Sequence, residues 1–172
     1  MDRTPDRTPD RDPDFEALFE STFPMAQRVA YRIVGDAFVA EDLAAEAFVR
    51  LYARWGRLRG EPGRVGWVLR VTANLAIDTV RRKRPVPEAG FAADMEEAVV
   101  LRSALAAALS ALPARQRAVV VLRYLADQSE DDVARLLGIS AGTVKAHAHR
   151  ATQRLRRQFH DDEEISIALH RA

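Results

Sequence analysis

Residues 130–149 read EDDVARLLGISAGTVKAHAH, and the spacing of small and apolar residues in this stretch decides how the second half of the chain folds. Ala134 is small where two helices would cross, and Gly138 follows four residues later, where a tight turn needs positive φ. The next residue, an isoleucine, can plug the turn. Ser140 can then cap the following helix, and Val144 can anchor that helix inward. Five matching positions in this order predict a helix-turn-helix.

The helix predicted after the turn has two different sides. At 100° per residue, its apolar residues lie within about 60° of one another around Val144. The outward side and its flanks carry Lys145, Ala146, His147, His149 and Arg150. A recognition helix needs such an arrangement, because one side is fixed to its own domain while the other offers donors to bases and phosphates. The alternative is a helical bundle with a basic, solvent-facing side.

Charge is distributed unevenly along the 172-residue chain, although its formal net charge is only +1. Residues 57–84 hold eight basic and two acidic residues, and residues 140–160 hold five basic residues and no acidic one. Residues 85–97 and 161–172 are acidic. Basic blocks favour a nucleic-acid partner because neutralised phosphates release counterions, although solvated helix faces can carry the same pattern.

The composition excludes several classes of function. The chain has no cysteine, which excludes disulfides, thiolate nucleophiles and Cys-based metal sites. No apolar run approaches about 18 residues, and the N-terminus carries acids and prolines in place of an apolar signal segment, so we expect an intracellular protein without membrane insertion.

The motifs GxxxxGK[ST], GxSxG and HExxH are absent. His147 and His149 would point about 160° apart on a helix, so they cannot share a metal ion. We therefore expect neither an enzyme nor a bound metal or cofactor.

Helical periodicity continues through the rest of the chain, and no segment alternates as a strand would, so the predicted fold class is all-α. Two small helical domains are expected, joined by a flexible linker. The predicted organisation is a disordered arm (1–13), a first domain (14–84), a linker rich in Pro, Gly and acids (85–97), a helix-turn-helix domain (98–160) and an acidic tail (161–172). Within the first domain, Pro24 is expected to interrupt or kink the first helix, and Gly35-Asp36 to end it and start the next.

A mixed polar stripe follows one side of the helix predicted from Trp67 to Arg84. The stripe consists of Trp67, Arg70, Asn74, Asp78 and Arg81, and the helix ends on Arg81-Arg82-Lys83-Arg84. An aromatic ring can stack on bases, an amide can read a base edge and arginines can hold phosphates. The sequence equally allows Trp67 to be a core residue and Asp78 to pair with Arg82 four residues later.

The helix predicted at about 39–55 has an outer side of small and acidic residues, including Asp42 and Glu46. That side could receive a basic protein partner. Alternatively, Glu46 and Arg50 could form a solvated i,i+4 pair worth about 0.2–0.5 kcal/mol.

Two blocks of sequence resemble the extracytoplasmic-function (ECF) sigma factors of the sigma-70 family. AEDLAAEAFVRLYARW (40–55) and GWVLRVTANLAIDTVRRKR (66–84) are similar to their sigma-two domain. ALSALPARQRAVVVLRYLADQSEDDVARLLGISAGTVKAHAHRATQRLRR (108–157) is similar to their sigma-four domain. The resemblance implies a factor that directs core RNA polymerase to specific promoters, recognises the −35 and −10 elements and starts promoter melting.

The resemblance also implies roles for individual residues. Glu41, Asp42 and Glu46 match the surface that docks on the clamp helices of the polymerase β′ subunit. The predicted loop 57–66 resembles the segment that captures a flipped −10 base. Asn74, Arg81 and Arg82 match −10 contacts, which Trp67 and Arg70 of the same stripe would join. Lys145, Ala146, His147, His149 and Arg150 match the contacts to the −35 element.

The partners implied by the family are core polymerase (β′ clamp helices and β flap), promoter DNA and an anti-sigma factor, all met in the cytoplasm. Two departures stand out: Ala146-His147 replaces a frequent Ser-Arg pair, and Ala73 replaces a frequent arginine. The main rival is a stand-alone regulator with a LuxR-like helix-turn-helix, because GTVK followed by His also suits that class. It would bind duplex DNA without polymerase.

Overall fold

The computed structural model describes residues 12–82 and 104–160. All regular secondary structure within these two ranges is helical, which confirms the predicted all-α class. Most of the predicted N-terminal arm, the predicted linker 85–97 and the predicted tail 161–172 lie outside the described residues.

The first module is built from α1 (Pro13–Val34), α2 (Ala37–Tyr52), α3 (Trp55–Leu58) and α4 (Arg64–Arg82). The side chain of Asp12 accepts from the N–H groups of Asp14 and Phe15 and so caps α1. Gly35 ends α1 at a φ of +80°, where glycine pays no steric cost, and Asp36 caps α2 directly afterwards. The predicted stop and restart at these two residues are confirmed.

Helix α1 runs without a break through Pro24, where the sequence predicted an interruption or a kink. Proline removes one backbone donor from a helix and crowds the preceding turn. The helix is 22 residues long and buries side chains on both sides of the proline, including Leu18, Ala26 and Val29. This burial holds the helix together across the missing hydrogen bond.

The predicted loop 57–66 is partly helical. Helix α3 covers its first two residues, and α4 begins at Arg64, three residues before the predicted start at Trp67. The N–H of Trp67 donates to the carbonyl of Gly63 over 2.9 Å, which is a helical bond. The three glycines of this stretch favoured a loop, but a glycine costs a helix only about 1 kcal/mol, which packing readily outweighs.

The second module contains α5 (104–110), α6 (Ala114–Val120), α7 (Glu130–Leu137) and α8 (Ala141–His160). A π-helical turn, Val121–Leu125, extends α6, and it closes with a 3.1 Å bond from the N–H of Ala126 to the carbonyl of Val121, five residues back. The helices predicted after Pro113, at 130–137 and at 141–159 are confirmed.

Each module has a hydrophobic cluster of its own. In the first module, the rings of Phe15 and Phe48 pack edge to face with centroids 6.2 Å apart, and Trp55 completes an aromatic cluster beneath α2. In the second module, Leu109, Leu112, Val120 and Ala151 pack α5 and α6 against α8.

A larger cluster, named here the interdomain cluster, joins the two modules. From the first module it includes Val29, Ile33, Leu69, Ala73, Ala76 and Ile77. From the second it includes Ala118, Val119, Val121, Leu122, Ala126, Val133, Leu136 and Val144. Helices α4 and α7 approach closely, since a Cβ placed on Gly66 would lie 3.9 Å from Leu136 Cδ2. The sequence predicted two helical domains joined by a flexible linker. In the structure, the two modules pack against each other through the interdomain cluster.

Candidate nucleic-acid interface

The helix-turn-helix is formed by α7, a tight turn and α8. Ser129 caps α7 by accepting from the N–H of Asp132 over 3.1 Å. Gly138 ends α7 at a φ of +64°, which accounts for a glycine at this position. Ser140 then caps α8 by accepting from the N–H of Thr143 over 3.1 Å. The turn chemistry predicted at Gly138 and Ser140 is confirmed.

Helix α8 presents the two sides that the sequence predicted. Val144 and Ala151 are fully buried, and Ala148 and Leu155 are partly buried beside them. On the outward side, Lys145, His149 and Arg150 are exposed, whereas Ala146 and His147 are partly exposed. The apolar side fixes the helix to its module and leaves an extended basic side facing solvent. This is the geometry that major-groove reading requires.

His147 is the least accessible ionisable group among the predicted −35 contacts. Its Nδ1 is buried and has no hydrogen-bond partner among the described residues. Burial lowers the pKa of the imidazole below its ordinary value, and the nearby guanidinium groups of Arg150 and Arg115 lower it further. The ring is therefore neutral at pH 7, so α8 carries less charge here than an arginine would supply.

The polar stripe of α4 is mostly exposed. Arg70, Asn74, Arg81 and Arg82 all face solvent. Trp67 is partly buried against the aromatic cluster, and the guanidinium of Arg54 lies 5.9 Å from its ring centroid. The sequence left open whether Trp67 is a core residue or part of the exposed stripe. In the structure it is both, because one part of its ring packs against the aromatic cluster while another part remains accessible.

The segment between α3 and α4 is tied to the start of α1. The indole N–H of Trp55 donates to Asp12 over 2.8 Å, and this bond is the main cause that lowers the pKa of the Asp12 carboxyl. Arg59 donates to Asp14 over 2.8 and 3.0 Å and lies 3.2 Å from Asp12. These bonds fix one end of the segment that the resemblance assigns to base capture.

The outer side of α2 carries the predicted polymerase contacts, and Glu41, Asp42 and Glu46 are all exposed. Arg50 Nε donates to Glu46 Oε1 over 2.7 Å, so the i,i+4 pair considered from the sequence is present. An exposed pair of this kind contributes little to stability and leaves Glu46 accessible to a partner.

Sequence reasoning placed Val49 on the outer side of α2 but missed the exposed apolar residues Phe38, Tyr124 and Leu125. Phe38, 85% exposed, and Val49 flank the acids of α2 on the same outer side. Tyr124, 67% exposed, and Leu125 project from the π-helical turn of the second module. The helical spacing between Phe38, Asp42 and Val49 could have placed Phe38 on the acidic side as well. A π-helical turn leaves no comparable signal in the sequence.

Within residues 12–82 and 104–160, no group of three His, Asp or Glu side chains could hold a metal ion. None of the helices in those ranges has the length and apolarity to span a bilayer.

Two family profiles match this chain in the same order as the two modules. The profile described as Sigma-70 region 2 matches residues 18–86, and that described as Sigma-70, region 4 matches residues 102–155. The chain is 32% identical over 154 residues to the ECF RNA polymerase sigma factor SigW of Bacillus subtilis, covering 78% of this chain and 82% of SigW. It is 34% identical over 151 residues to the RNA polymerase sigma-E factor of Streptomyces avermitilis, covering 84% of each chain.

A solved structure shares the fold. The sigma factor RpoE from Bartonella quintana, determined in complex with the anti-sigma factor NepR, superposes with a TM-score of 0.69. The match covers 87% of this chain and 99% of RpoE at 19% sequence identity.

The two profiles and the relatives together place the chain: it belongs to the sigma-70 family, as an ECF sigma factor. Its function is promoter-specific transcription initiation by RNA polymerase. The family consists of initiation factors that are not enzymes. The rival class, a regulator acting without polymerase, does not account for the match to Sigma-70 region 2 in the first module.

Proposed function

We propose that the two modules divide promoter recognition between them, with α8 holding the −35 duplex and α4 holding unstacked bases of the −10 element. The observation that carries this proposal is the pair of exposed, donor-rich helix sides on opposite modules, each backed by buried apolar residues. Phosphate contacts position a protein on DNA, whereas base contacts specify the sequence, and both kinds of donor are present on each side.

At the −35 element, Lys145 and Arg150 bind phosphates, and His149 reads a base edge. The amide of Gln153 donates to His149 Nε2 over 3.0 Å, which restrains the orientation of the ring on the exposed side of α8. Ala146 makes the apolar contact that a thymine methyl group accepts, and His147 contributes a neutral hydrogen bond.

At the −10 element, Asn74 reads a flipped non-template base, and Trp67 and Arg70 stack on or bind its neighbours. Arg81 and Arg82 hold phosphates beyond it. The segment 57–66, fixed by Arg59 and Trp55, supports the captured base. The free energy of binding the flipped base offsets an unstacking cost of a few kcal/mol per base step. Binding alone can therefore start to melt the DNA duplex.

On polymerase, Glu41, Asp42 and Glu46 dock on the β′ clamp helices, with Phe38 and Val49 adding apolar contact. Tyr124 and Leu125 of the second module supply the apolar surface for the β flap. A cytoplasmic location follows from these partners. An anti-sigma factor completes the proposed partners, as NepR does for RpoE.

Transcription and footprinting assays test whether the two modules recognise separate promoter elements. Promoters are selected from a random library by holoenzyme reconstituted with the full chain, and transcripts are then measured from the best sequence. Asn74→Ala should reduce the permanganate reactivity of −10 thymines at least tenfold while leaving −35 footprinting unchanged. Gln158→Ala, an exposed amide outside the proposed contacts, is the matched control. Equal loss in both variants, or unchanged melting in Asn74→Ala, contradicts the proposed role of α4.

Polymerase docking has a separate test. Asp42→Lys reverses a charge on the outer side of α2 and should weaken binding of the full chain to core polymerase about tenfold or more. Glu20→Lys makes the same charge change on an exposed position of α1 and should bind as the unaltered chain does. Unchanged core binding by Asp42→Lys would remove α2 from the proposed interface.

A further inference from the structure

The carboxylate of Asp12 uses its two oxygens in two different ways. Oδ1 accepts from the N–H groups of Asp14 and Phe15 over 3.0 and 3.4 Å and so caps α1. Oδ2 accepts from the indole N–H of Trp55 over 2.8 Å and lies 3.2 Å from Nη1 of Arg59. Capping needs only the first oxygen. The second therefore joins the start of α1 to a distant part of the chain, the short helix α3 and the segment that follows it.

Trp55 makes this contact rigid. Its side chain is only 7% exposed, and its ring packs edge to face on Phe15 with centroids 5.2 Å apart. Phe15 lies in the first turn of α1, so the ring and the N–H of the indole both contact the same helix start. A buried indole N–H needs an acceptor, which the Asp12 carboxylate supplies.

Two arginines bind the segment 57–66 to the protein itself. Nε and Nη2 of Arg59 donate to Asp14 over 3.0 and 2.8 Å, so this side chain is held by α1. Nη1 of Arg64 donates to the carbonyls of Arg59 and Glu61, each over 3.4 Å. The segment is therefore fixed to α1 at one residue and bonded to itself at another.

These bonds exist in the free chain, so segment 57–66 is ordered before any DNA arrives. Ordering a flexible stretch at the moment of binding lowers affinity, because conformational freedom is then lost. In the function proposed above, the free energy of binding a flipped base must offset the unstacking of the duplex. A segment that is already held in place leaves more of that free energy for opening the DNA.

We propose that Asp12 is a positioning residue for base capture: through Trp55 and Arg59, its Oδ2 holds segment 57–66 in the shape that receives the flipped −10 base. This inference rests on the promoter function proposed above. Asp12 itself does not touch DNA and acts only through the segment. It therefore affects how readily a promoter opens, whereas binding to core polymerase uses the other surfaces named above.

An amide at position 12 separates the two uses of the carboxylate. Asparagine caps a helix about as well as aspartate, but its side chain has a single acceptor oxygen. Asp12→Asn can therefore cap α1 but cannot also accept from Trp55 and Arg59. Asp36→Asn is the matched control, because the Asp36 carboxylate caps α2 through one oxygen, which accepts from the N–H of Val39 over 3.0 Å.

The first measurement reports the order of segment 57–66 in the free chain. The chain contains no cysteine, and a Cβ on Gly60 would meet no atom within 4 Å, so Gly60→Cys accepts a single spin label. Asp12→Asn should make this label more mobile and sharpen its continuous-wave electron paramagnetic resonance spectrum, whereas Asp36→Asn should not. Far-ultraviolet circular dichroism shows whether each variant retains its helices.

Arg59→Gln tests the same bonds without altering a helix cap, and it should also make the label more mobile. Its matched control is Arg57→Gln, because Arg57 is exposed two residues earlier and has no hydrogen bond or ion pair among the described residues. The spectrum of this control should match that of the labelled chain without further changes. Unchanged spectra in both Asp12→Asn and Arg59→Gln overturn the proposal.

The second measurement asks whether Asp12 acts through the captured base. Each −10 position of the non-template strand in the selected promoter is replaced in turn by an abasic site, and binding of holoenzyme with the full chain is measured. The most sensitive position should cost the unaltered chain about tenfold or more in affinity. Asp12→Asn should bind the intact promoter about fivefold more weakly, and the abasic site should then cost less than about threefold more. Asp36→Asn should retain the full effect of the abasic site.

The two losses distinguish a positioning role from a general effect on stability. A residue that only stabilises the fold would act independently of the base, so the losses would multiply. Losses that multiply in Asp12→Asn overturn the proposal. If no abasic position weakens binding by the unaltered holoenzyme, base capture itself is wrong and the proposed function of the segment fails. The spectra of the labelled free chain then still decide whether Asp12 orders the segment.

Discussion

In the proposed contact with the −35 element, His147 affects how much charge α8 brings to the DNA. Its ring lies at the flank of the exposed side of α8, partly buried and near two guanidinium groups that oppose protonation. An arginine here would carry a permanent charge and a planar set of donors. In the proposed −35 contact, the histidine therefore favours base contacts over attraction to phosphates.

His147→Arg should increase affinity for a −35 duplex and steepen its dependence on salt. One additional phosphate contact changes the slope of log K against log salt by about 0.9. Fluorescence anisotropy with holoenzyme at several salt concentrations measures the slope. Ala111→Arg adds a charge at an exposed position of the same module and controls for non-specific attraction. An unchanged slope in His147→Arg would place this side chain away from the DNA backbone.

The lowered pKa of His147 predicts how stability depends on pH. Because the folded pKa lies below the ordinary value of about 6.5, the unfolded chain binds this proton more readily between the two values. The contribution of His147 is complete above that ordinary value and decreases as pH falls toward the folded pKa. Urea unfolding at pH 8 and at pH 5.5 should show a smaller loss of stability in His147→Gln than in the unaltered chain. An identical loss would contradict the assigned pKa direction.

At the scale of elements, the turn between α7 and α8 allows a comparison of two glycines. Gly138 adopts a φ of +64°, whereas Gly142 lies in the first turn of α8. Gly138→Ala should reduce the free energy of unfolding by about 1 kcal/mol because an alanine is strained at positive φ. Gly142→Ala should be neutral or stabilising by up to about 1 kcal/mol because alanine favours a helix. Chemical denaturation distinguishes the two, and equal effects would contradict the assigned strain.

The helices were predictable where local chemistry marks their ends. Ser140, Gly138 and Gly35 act through side chains or φ angles that depend on immediate neighbours, so the sequence located these boundaries correctly. The start of α4 was misplaced because Gly66 suggests a loop when only local preference is considered. In the structure this glycine lies within the helix and packs next to Leu136 of α7, so tertiary packing determined the boundary.

At the scale of the whole molecule, the contact between modules was not predictable from the sequence. Its first-module side depends on Ala73 and Ala76, and alanines fit both a buried and an exposed helix position. Its polar component is Arg117, which binds carbonyl groups that no side-chain pattern reveals. The sequence located both candidate DNA-binding sides because each combines a periodic apolar side with a basic one, but it could not relate one module to the other.

Arg117→Met tests the energetic role of this contact. Three backbone carbonyls lose their charged donor, so the free energy of unfolding should fall by about 2–3 kcal/mol. Arg115→Met removes an exposed arginine from the same helix and should change stability by less than about 0.5 kcal/mol. Urea denaturation of the full chain measures both. Equal stabilities would mean that water satisfies the carbonyls of Ile33, Ser110 and Leu112 as well as Arg117 does.

The π-helical turn at Val121–Leu125 has a consequence for how this factor could change over evolution. Such a turn is an α-helix with one inserted residue, so losing a single codon there would restore regular winding. The chain after Leu125 would then leave α6 rotated by about 100°, and α8 would have to re-form its packing on α6, through Val120 and Ala151, in a new orientation. Every side chain proposed to touch DNA would remain, yet α8 would present these side chains at another angle. A short in-frame deletion could therefore redirect such a factor without altering its reading residues.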